Sequence, residues 1–223
     1  MKGNNMSTNS LGVNMTSEAN AKVKKSKTKL QLKAPTQERS RQTVATILEA
    51  CERIMNREGF YGVTTDKVAK EAGVSIGSLY QFFGNKESVV SALIHELIRR
   101  DSVMFQDRIA QINQVAADQR MAYLIQLGLD IYSTQKELRQ KIQGIYQYLV
   151  DQNEYKRILS IYTEAFAMHI QSKPGRDARM MAKLTVSAFI GLMAQVVTDN
   201  PNFMQDPKLV EEIKRMFLRY LNE

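Results

Sequence analysis

The side chains with chemistry to offer crowd into residues 64–83, the run TTDKVAKEAGVSIGSLYQFF. Thr64, Thr65, Ser75 and Ser78 bring hydroxyls, Tyr80 a phenol and Gln81 a carboxamide. These neutral groups donate and accept hydrogen bonds, which suits contact with base edges and phosphate oxygens better than bond making. Elsewhere no reaction centre is spelled out. The sequence has no phosphate-cradling Gly-rich motif, no paired-Cys metal site and no Gly-x-Ser-x-Gly elbow. His95-Glu96 opens like a zinc-protease helix, but Arg99 stands where the second histidine is needed. The histidines His95 and His169 and scattered carboxylates such as Asp101, Asp107 and Glu164 define no acid–base pair. We expect no enzyme activity, metal or cofactor.

To read DNA, these groups must ride on two short helices joined by a tight turn. Val68, Ala69 and Ala72 give the first helix a small apolar stripe, and Gly73 stops it, since glycine enters the left-handed region without steric cost. Ser75 caps the second helix. Leu79 and Phe83, four apart, plug a core, which turns Ser78, Tyr80 and Gln81 elsewhere. In a helix-turn-helix the second helix lies in the major groove with its N-terminus near the duplex, here Ser75-Ile76-Gly77-Ser78. Gly77 has no side chain to hold the backbone off, and the first-turn N–H groups favour a phosphate. Of Thr64 and Thr65, one is expected to cap the first helix and the other to reach a phosphate.

The flanking residues continue the pattern. A helix over 37–58 carries Val44, Ile47, Leu48, Cys51, Ile54 and Met55 on one side, which makes Cys51 a packing residue. Asn85 caps a fourth, long helix whose Val90, Leu93, Ile94, Leu97 and Ile98 continue through Met104, Phe105, Ile109 and Ile112. The segment from about 39 to 97 resembles the N-terminal domain of the TetR family of transcriptional regulators. The resemblance is carried by TVATILEACERIMNREG, Phe60 after Gly59, Thr64-Thr65, Val68-Ala69, Ala72-Gly73-Val74-Ser75, Gly77-Ser78-Leu79-Tyr80, Phe83 and Asn85-Lys86-Glu87. It implies a dimeric DNA-binding repressor with a C-terminal effector domain. It also implies phosphate or base contacts from Thr64, Thr65, Ser75, Ile76, Gly77, Ser78, Tyr80, Gln81 and Lys86. Phe82 departs from the family pattern, which often has a polar aromatic or histidine there.

The net charge of +8 and pI of 9.5 belong to another part of the chain. Residues 1–36 hold seven lysines against Glu18, so the remainder is close to neutral. That segment, rich in Asn, Ser and Thr, reads as a disordered basic tail, either an arm that follows phosphates or a solubilising extension. The single cysteine excludes an internal disulfide framework and points to a reducing compartment. No signal peptide is evident, and the longest apolar stretch, residues 186–197, is too short for a membrane span. We expect a cytoplasmic protein with no membrane partner.

The remaining segments read as helices at about 117–133, 135–150, 153–171, 175–198 and 207–221. The fold class is therefore all-α: a DNA-binding domain over 37–100, joined by the long helix to a helical effector-binding and dimerisation domain over 101–223. Met181, Leu184, Thr185, Ala188, Leu192 and Gln195 share one face, while Val210, Ile213, Phe217, Tyr220 and Leu221 stripe the last helix. More than one side of these helices is apolar, which predicts a homodimer through 175–198 and 207–221. Tyr123, Tyr132, Tyr146, Tyr148, Tyr162, Phe166, Met168, His169, Met180 and Met181 suit a small apolar effector and an ordinary helical core alike, so none is singled out as a ligand contact. Two functions stand: a repressor released from a pseudo-palindromic double-stranded operator by such a ligand, or an architectural or partner-controlled DNA-binding protein without one.

Overall fold

The computed structural model describes residues 38–171 and 174–222; the basic segment 1–36 lies outside the described residues. Among the described residues the chain forms ten α-helices and no strand. They are α1 (Glu38–Gly62), α2 (Thr65–Ala72), α3 (Ile76–Tyr80), α4 (Lys86–Ile109), α5 (Arg120–Ser133), α6 (Lys136–Ile142), α7 (Tyr146–Leu149), α8 (Gln152–His169), α9 (Ala178–Asp199) and α10 (Pro207–Asn222).

Two apolar cores organise them. In the first, Ile47, Cys51, Ile54 and Met55 of α1 meet Val68 and Ala69 of α2, Leu79 of α3, Phe83, and Val89 to Ile94 of α4. Leu138 and Ile142 of α6 join this same core, so a helix distant in sequence is packed against α1 of the DNA-binding domain. Cys51 is fully buried, and burial, with Glu52 nearby, pushes its thiol up to about 12, as befits a packing residue. The second core joins α5, α8, α9 and α10 through Leu124, Leu129, Phe166, Phe189, Met193, Ile213 and Phe217. Helix α4 spans both regions and is fastened on the way. Ser91 donates its hydroxyl proton to the Leu149 carbonyl at 2.7 Å, and the Asp151 N–H donates to His95 Nε2 at 3.2 Å.

Three helix expectations need correction. Helix α1 runs on to Gly62 through a bend at Gly59, whose φ is 70°. Helix α4 ends at Ile109, and Ile112 instead opens a short 3-10 turn. The single helix expected over 135–150 is two, because Gly144, which holds helical geometry weakly, sits in a turn between α6 and α7. The apolar stretch 186–197 is part of α9, which is long and apolar enough to cross a membrane by length and composition. Its inward residues Met181, Ala182, Thr185, Val186, Phe189, Met193 and Val197 are buried in the described structure. Outward lie Met180, Leu184, Ala188, Gly191 and Gln195, so the face predicted for dimer contact is split, with Met181 and Thr185 turned into the core.

Candidate nucleic-acid interface and interior cavity

The helix-turn-helix is fixed by capping. Thr64 is the N-cap of α2, with Oγ1 accepting from the Lys67 N–H at 3.2 Å. At the other end Gly73 adopts φ 67°, and the N–H groups of Gly73 and Val74 return to the carbonyls of Lys70 and Ala69. That pair of bonds is a Schellman closure, and a side chain at the left-handed position would strain it. Ser75 then caps α3, its Oγ accepting from the Ser78 N–H at 3.0 Å and lying 2.8 Å from Ser78 Oγ. Leu79 and Phe83 are buried, as their spacing predicts. The helix itself is a single turn and a half, ending at Tyr80, with Gln81 exposed at its C-cap.

Several of the residues implied as DNA contacts are already engaged with one another. Ser75 and Ser78 are bonded as a pair, and Thr65 Oγ1 lies 3.2 Å from the Tyr80 phenol oxygen. Tyr80 is about half exposed and Ile76 is exposed, so both project from the unit. A Cβ added at Gly77 would meet only Ser75 Oγ, at 3.9 Å, which leaves this part of the backbone open to approach. Lys86 stands at the start of α4 with Nζ 4.4 Å from the Phe60 ring centroid and 6.0 Å from that of Tyr61. The sequence reading missed Tyr61, which is 91% exposed beside Lys86; its one signal was an aromatic following the bend at Gly59-Phe60. Neighbouring cations are paired: Lys67 with Glu58, and Arg53 and Arg57 with Glu71. Lys67 holds the Glu58 carboxyl below its usual range, as Arg53 does for Glu71.

Farther along α4 the helices line a partly open cavity of about 270 Å³. Its wall takes Leu97, Ile98, Asp101 and Phe105 from α4, with Gly128, Arg139, Tyr146, Tyr162 and Phe189 from α5, α6, α7, α8 and α9. Of the aromatics noted in the sequence, Tyr132, Tyr146, Tyr162 and Phe166 line it, and Tyr155 joins them. Tyr148, Met168 and Met180 are exposed instead, Met181 belongs to the second core, and Tyr123 donates to the Arg108 carbonyl at 2.9 Å. Phe189 packs directly on Gly128, where an added Cβ would lie 2.8 Å from the ring.

The wall carries one largely buried ion pair, Asp101 with Arg139, 2.5 Å apart. Arg139 also donates from Nε to the Thr134 carbonyl at 3.0 Å and from Nη2 to that of Ile131 at 3.1 Å, and it stacks 5.0 Å from the Tyr132 ring. Burial raises the Asp101 carboxyl above its ordinary range despite the opposing pull of Arg139. Burial likewise raises Tyr132, Tyr146 and Tyr155 and takes Tyr162 to about 12, so these phenols stay neutral. Asp101 had been only one of several scattered carboxylates, because its partner lies 38 residues away. Among the described residues no group of three or more His, Cys, Asp or Glu side chains is placed to hold a metal ion.

Comparison with known proteins covers both regions. The family model for bacterial regulatory proteins, tetR family, matches residues 47–93, and that for the tetracyclin repressor-like C-terminal domain matches residues 118–221. The HTH-type transcriptional regulator BetI of Vibrio campbellii is 20% identical over 57% of this chain and 64% of its own length, so the match spans less than two thirds of that relative. The fatty acid metabolism regulator protein of Bacillus subtilis is 26% identical over 62% of this chain and 75% of its own. Among solved structures, FadR of Bacillus subtilis in complex with stearoyl-CoA superposes with a TM-score of 0.55 at 21% identity, covering 79% of this chain and 96% of that one. A regulator from Streptomyces coelicolor gives 0.58 at 22% identity, covering 82% and 97%. At these identities the structural likenesses establish the fold.

Proposed function

The chain belongs to the TetR family of DNA-binding transcriptional regulators, a family without enzymatic activity, and we propose that it is a homodimeric repressor released from a pseudo-palindromic operator by a small, largely apolar ligand. One observation carries this reading. Helix α4 begins at Lys86 beside the helix-turn-helix and supplies Leu97, Ile98, Asp101 and Phe105 to the cavity wall. A ligand that alters the wall therefore acts on the same rigid element that positions the DNA-reading head. It need only bind the two head spacings unequally; shifting the population from 1:99 to 99:1 takes about 5.5 kcal/mol of differential binding. The cavity favours this reading over an architectural protein, for which a solid core would suffice. The stearoyl-CoA held by the Bacillus subtilis neighbour makes an acyl compound a reasonable probe.

In this reading residues 37–100 read DNA and residues 101–223 bind the effector and dimerise, in the cytoplasm where the operator is found. Thr64, Thr65, Ser75, Ile76, Gly77, Ser78, Tyr80, Gln81 and Lys86 are the proposed contacts. Thr65 steadies the Tyr80 phenol, and the Ser75–Ser78 pair presents its hydroxyls together. Two heads on one two-fold axis would meet half-sites about 34 Å apart if these fall one helical turn apart.

The operator is first defined by selection from random DNA. Tyr80→Ala is then expected to weaken operator binding by about 1–3 kcal/mol with an unchanged melting temperature, whereas Lys86→Ala lowers specific and non-specific binding alike and flattens the salt dependence by about one unit. Wild-type affinity in Tyr80→Ala would remove α3 from the groove. Gly77→Ala separates folding from recognition. It should retain or gain stability, by up to about 1 kcal/mol, because alanine is the better helix former. Its methyl nevertheless occupies the surface offered to the duplex and should lower operator affinity in an anisotropy titration. A variant that binds like the wild type takes Gly77 out of the interface.

A further inference from the structure

Resting on the cavity as the effector site, the geometry points to an effector that is an amphipathic carboxylic acid, whose carboxylate replaces Asp101 on Arg139 while its hydrocarbon body lies against Leu124, Phe166, Val186 and Phe189. The wall is apolar except around this pair, the tyrosines and Gln143, so a ligand needs one polar end. Arg139 is prepared for that end. Its Nε and Nη2 are anchored on two backbone carbonyls, its face rests on Tyr132, and Nη1 makes no hydrogen bond among the described residues. A guanidinium so held presents a fixed fork for a carboxylate.

The sign of the head group follows from an asymmetry between the partners. Arg139 cannot lose its proton, so a cationic head beside Asp101 would face an unrelieved like charge. Asp101 can gain one. Burial already raises its carboxyl, opposed by Arg139 from α6 and by Arg100 on its own helix. The other titratable groups facing it, Tyr132 of α5, Tyr146 of α7 and Tyr162 of α8, are neutral phenols, and the α9 part of the wall, Val186, Phe189, Ile190, Gly191 and Ala194, is uncharged. Glu52 reaches the region only through its ion pair with Arg100. An incoming carboxylate therefore leaves Arg139 neutralised while Asp101 takes one proton from solvent, and the charge balance of the site is preserved. The exchange also parts α4 from α6, whose Leu138 and Ile142 share the apolar core with α1 of the DNA-binding domain, which couples ligand capture to the DNA-reading head.

Calorimetry on the full chain with dodecanoate, dodecanol and dodecyltrimethylammonium, over a pH series and in buffers of different ionisation enthalpy, tests this. Dodecanoate should bind with uptake of one proton, its affinity falling about tenfold per pH unit once Asp101 is ionised in the free protein, whereas dodecanol should bind independently of pH. Asp101→Asn should flatten the pH dependence for dodecanoate and strengthen its binding at the alkaline end. Arg139→Gln should abolish the preference for dodecanoate over dodecanol; should that variant not fold, the wild-type proton uptake and Asp101→Asn still decide. Dodecanoate binding without proton uptake, or tighter binding of the ammonium compound, overturns the carboxylate assignment and leaves the cavity reading intact. Failure of all three to bind overturns both.

Discussion

Leu184→Glu is expected to convert the proposed dimer to a monomer and to weaken operator binding by roughly a thousandfold, the scale on which joining two binding units raises affinity. Leu184 is 51% exposed on α9, on the outward stripe of Met180, Leu184, Ala188, Gly191 and Gln195, and Met216 is similarly exposed on α10. An apolar helix of which 44% of the most apolar window is buried leaves a surface that isolated chains would keep in water. In the proposed dimer a second copy would cover it by symmetry, and the two-fold axis would then place residue 184 close to the partner's interface, where a pair of carboxylates is desolvated or repelled. The monomer itself should be little affected, because the site is exposed in the single chain and surface changes alter stability by about 0.5 kcal/mol or less. Sedimentation velocity gives the oligomeric state, and titration of whole and half operators gives the affinity. The half operator should bind equally to wild type and variant. Lys183→Glu, one residue off the stripe, is the control for charge alone. A variant that sediments as a dimer would move the interface elsewhere.

The helix-turn-helix could be read from the sequence because each of its determinants is local. Gly73 ends α2, Ser75 caps α3, Asn85 caps α4, and Leu79 and Phe83 are spaced for one face; all five do so in the structure. The apolar periods likewise place α1, α5, α8, α9 and α10 to within a few residues. What escaped depends on separation along the chain. The Thr65–Tyr80 bond and the position of Lys86 over Phe60 engage side chains that residue type alone left free for DNA. On α9 the two apolar sides were visible, but the division between core and surface was not, since Met181 and Leu184 have the same hydropathic character and differ only in what faces them. The cavity was hidden for a related reason. Tyr132, Tyr146 and Tyr162 have the spacing of core residues, and the feature that distinguishes them, a buried Asp101–Arg139 pair, comes from helices separated by all of α5.

Gly128→Leu is expected to abolish the response to ligand while leaving operator binding intact. Gly128 faces the cavity from α5, and the Phe189 ring lies so close that an added Cβ would stand 2.8 Å from two of its carbons. Tyr132 at 6.1 Å and Phe217 at 5.4 Å flank that ring, so the side on which it can yield is the cavity. The displaced ring and the new side chain together then occupy ligand space. Two energies oppose each other in the free protein: replacing glycine inside a helix gains about 0.5–1 kcal/mol, whereas overpacking costs about 1–3 kcal/mol. The net change is small enough for the fold to survive. Gly128→Ala grades the effect, with a ligand affinity about tenfold lower, because one methyl displaces the ring without filling the space. Operator binding with and without dodecanoate or stearoyl-CoA reads the outcome, and unchanged affinity without ligand establishes that the head is folded and dimeric. The prediction holds for any head group, because the obstruction lies in the apolar part of the wall. If Gly128→Leu is folded and still released from its operator at wild-type ligand concentrations, the effector binds somewhere other than this cavity.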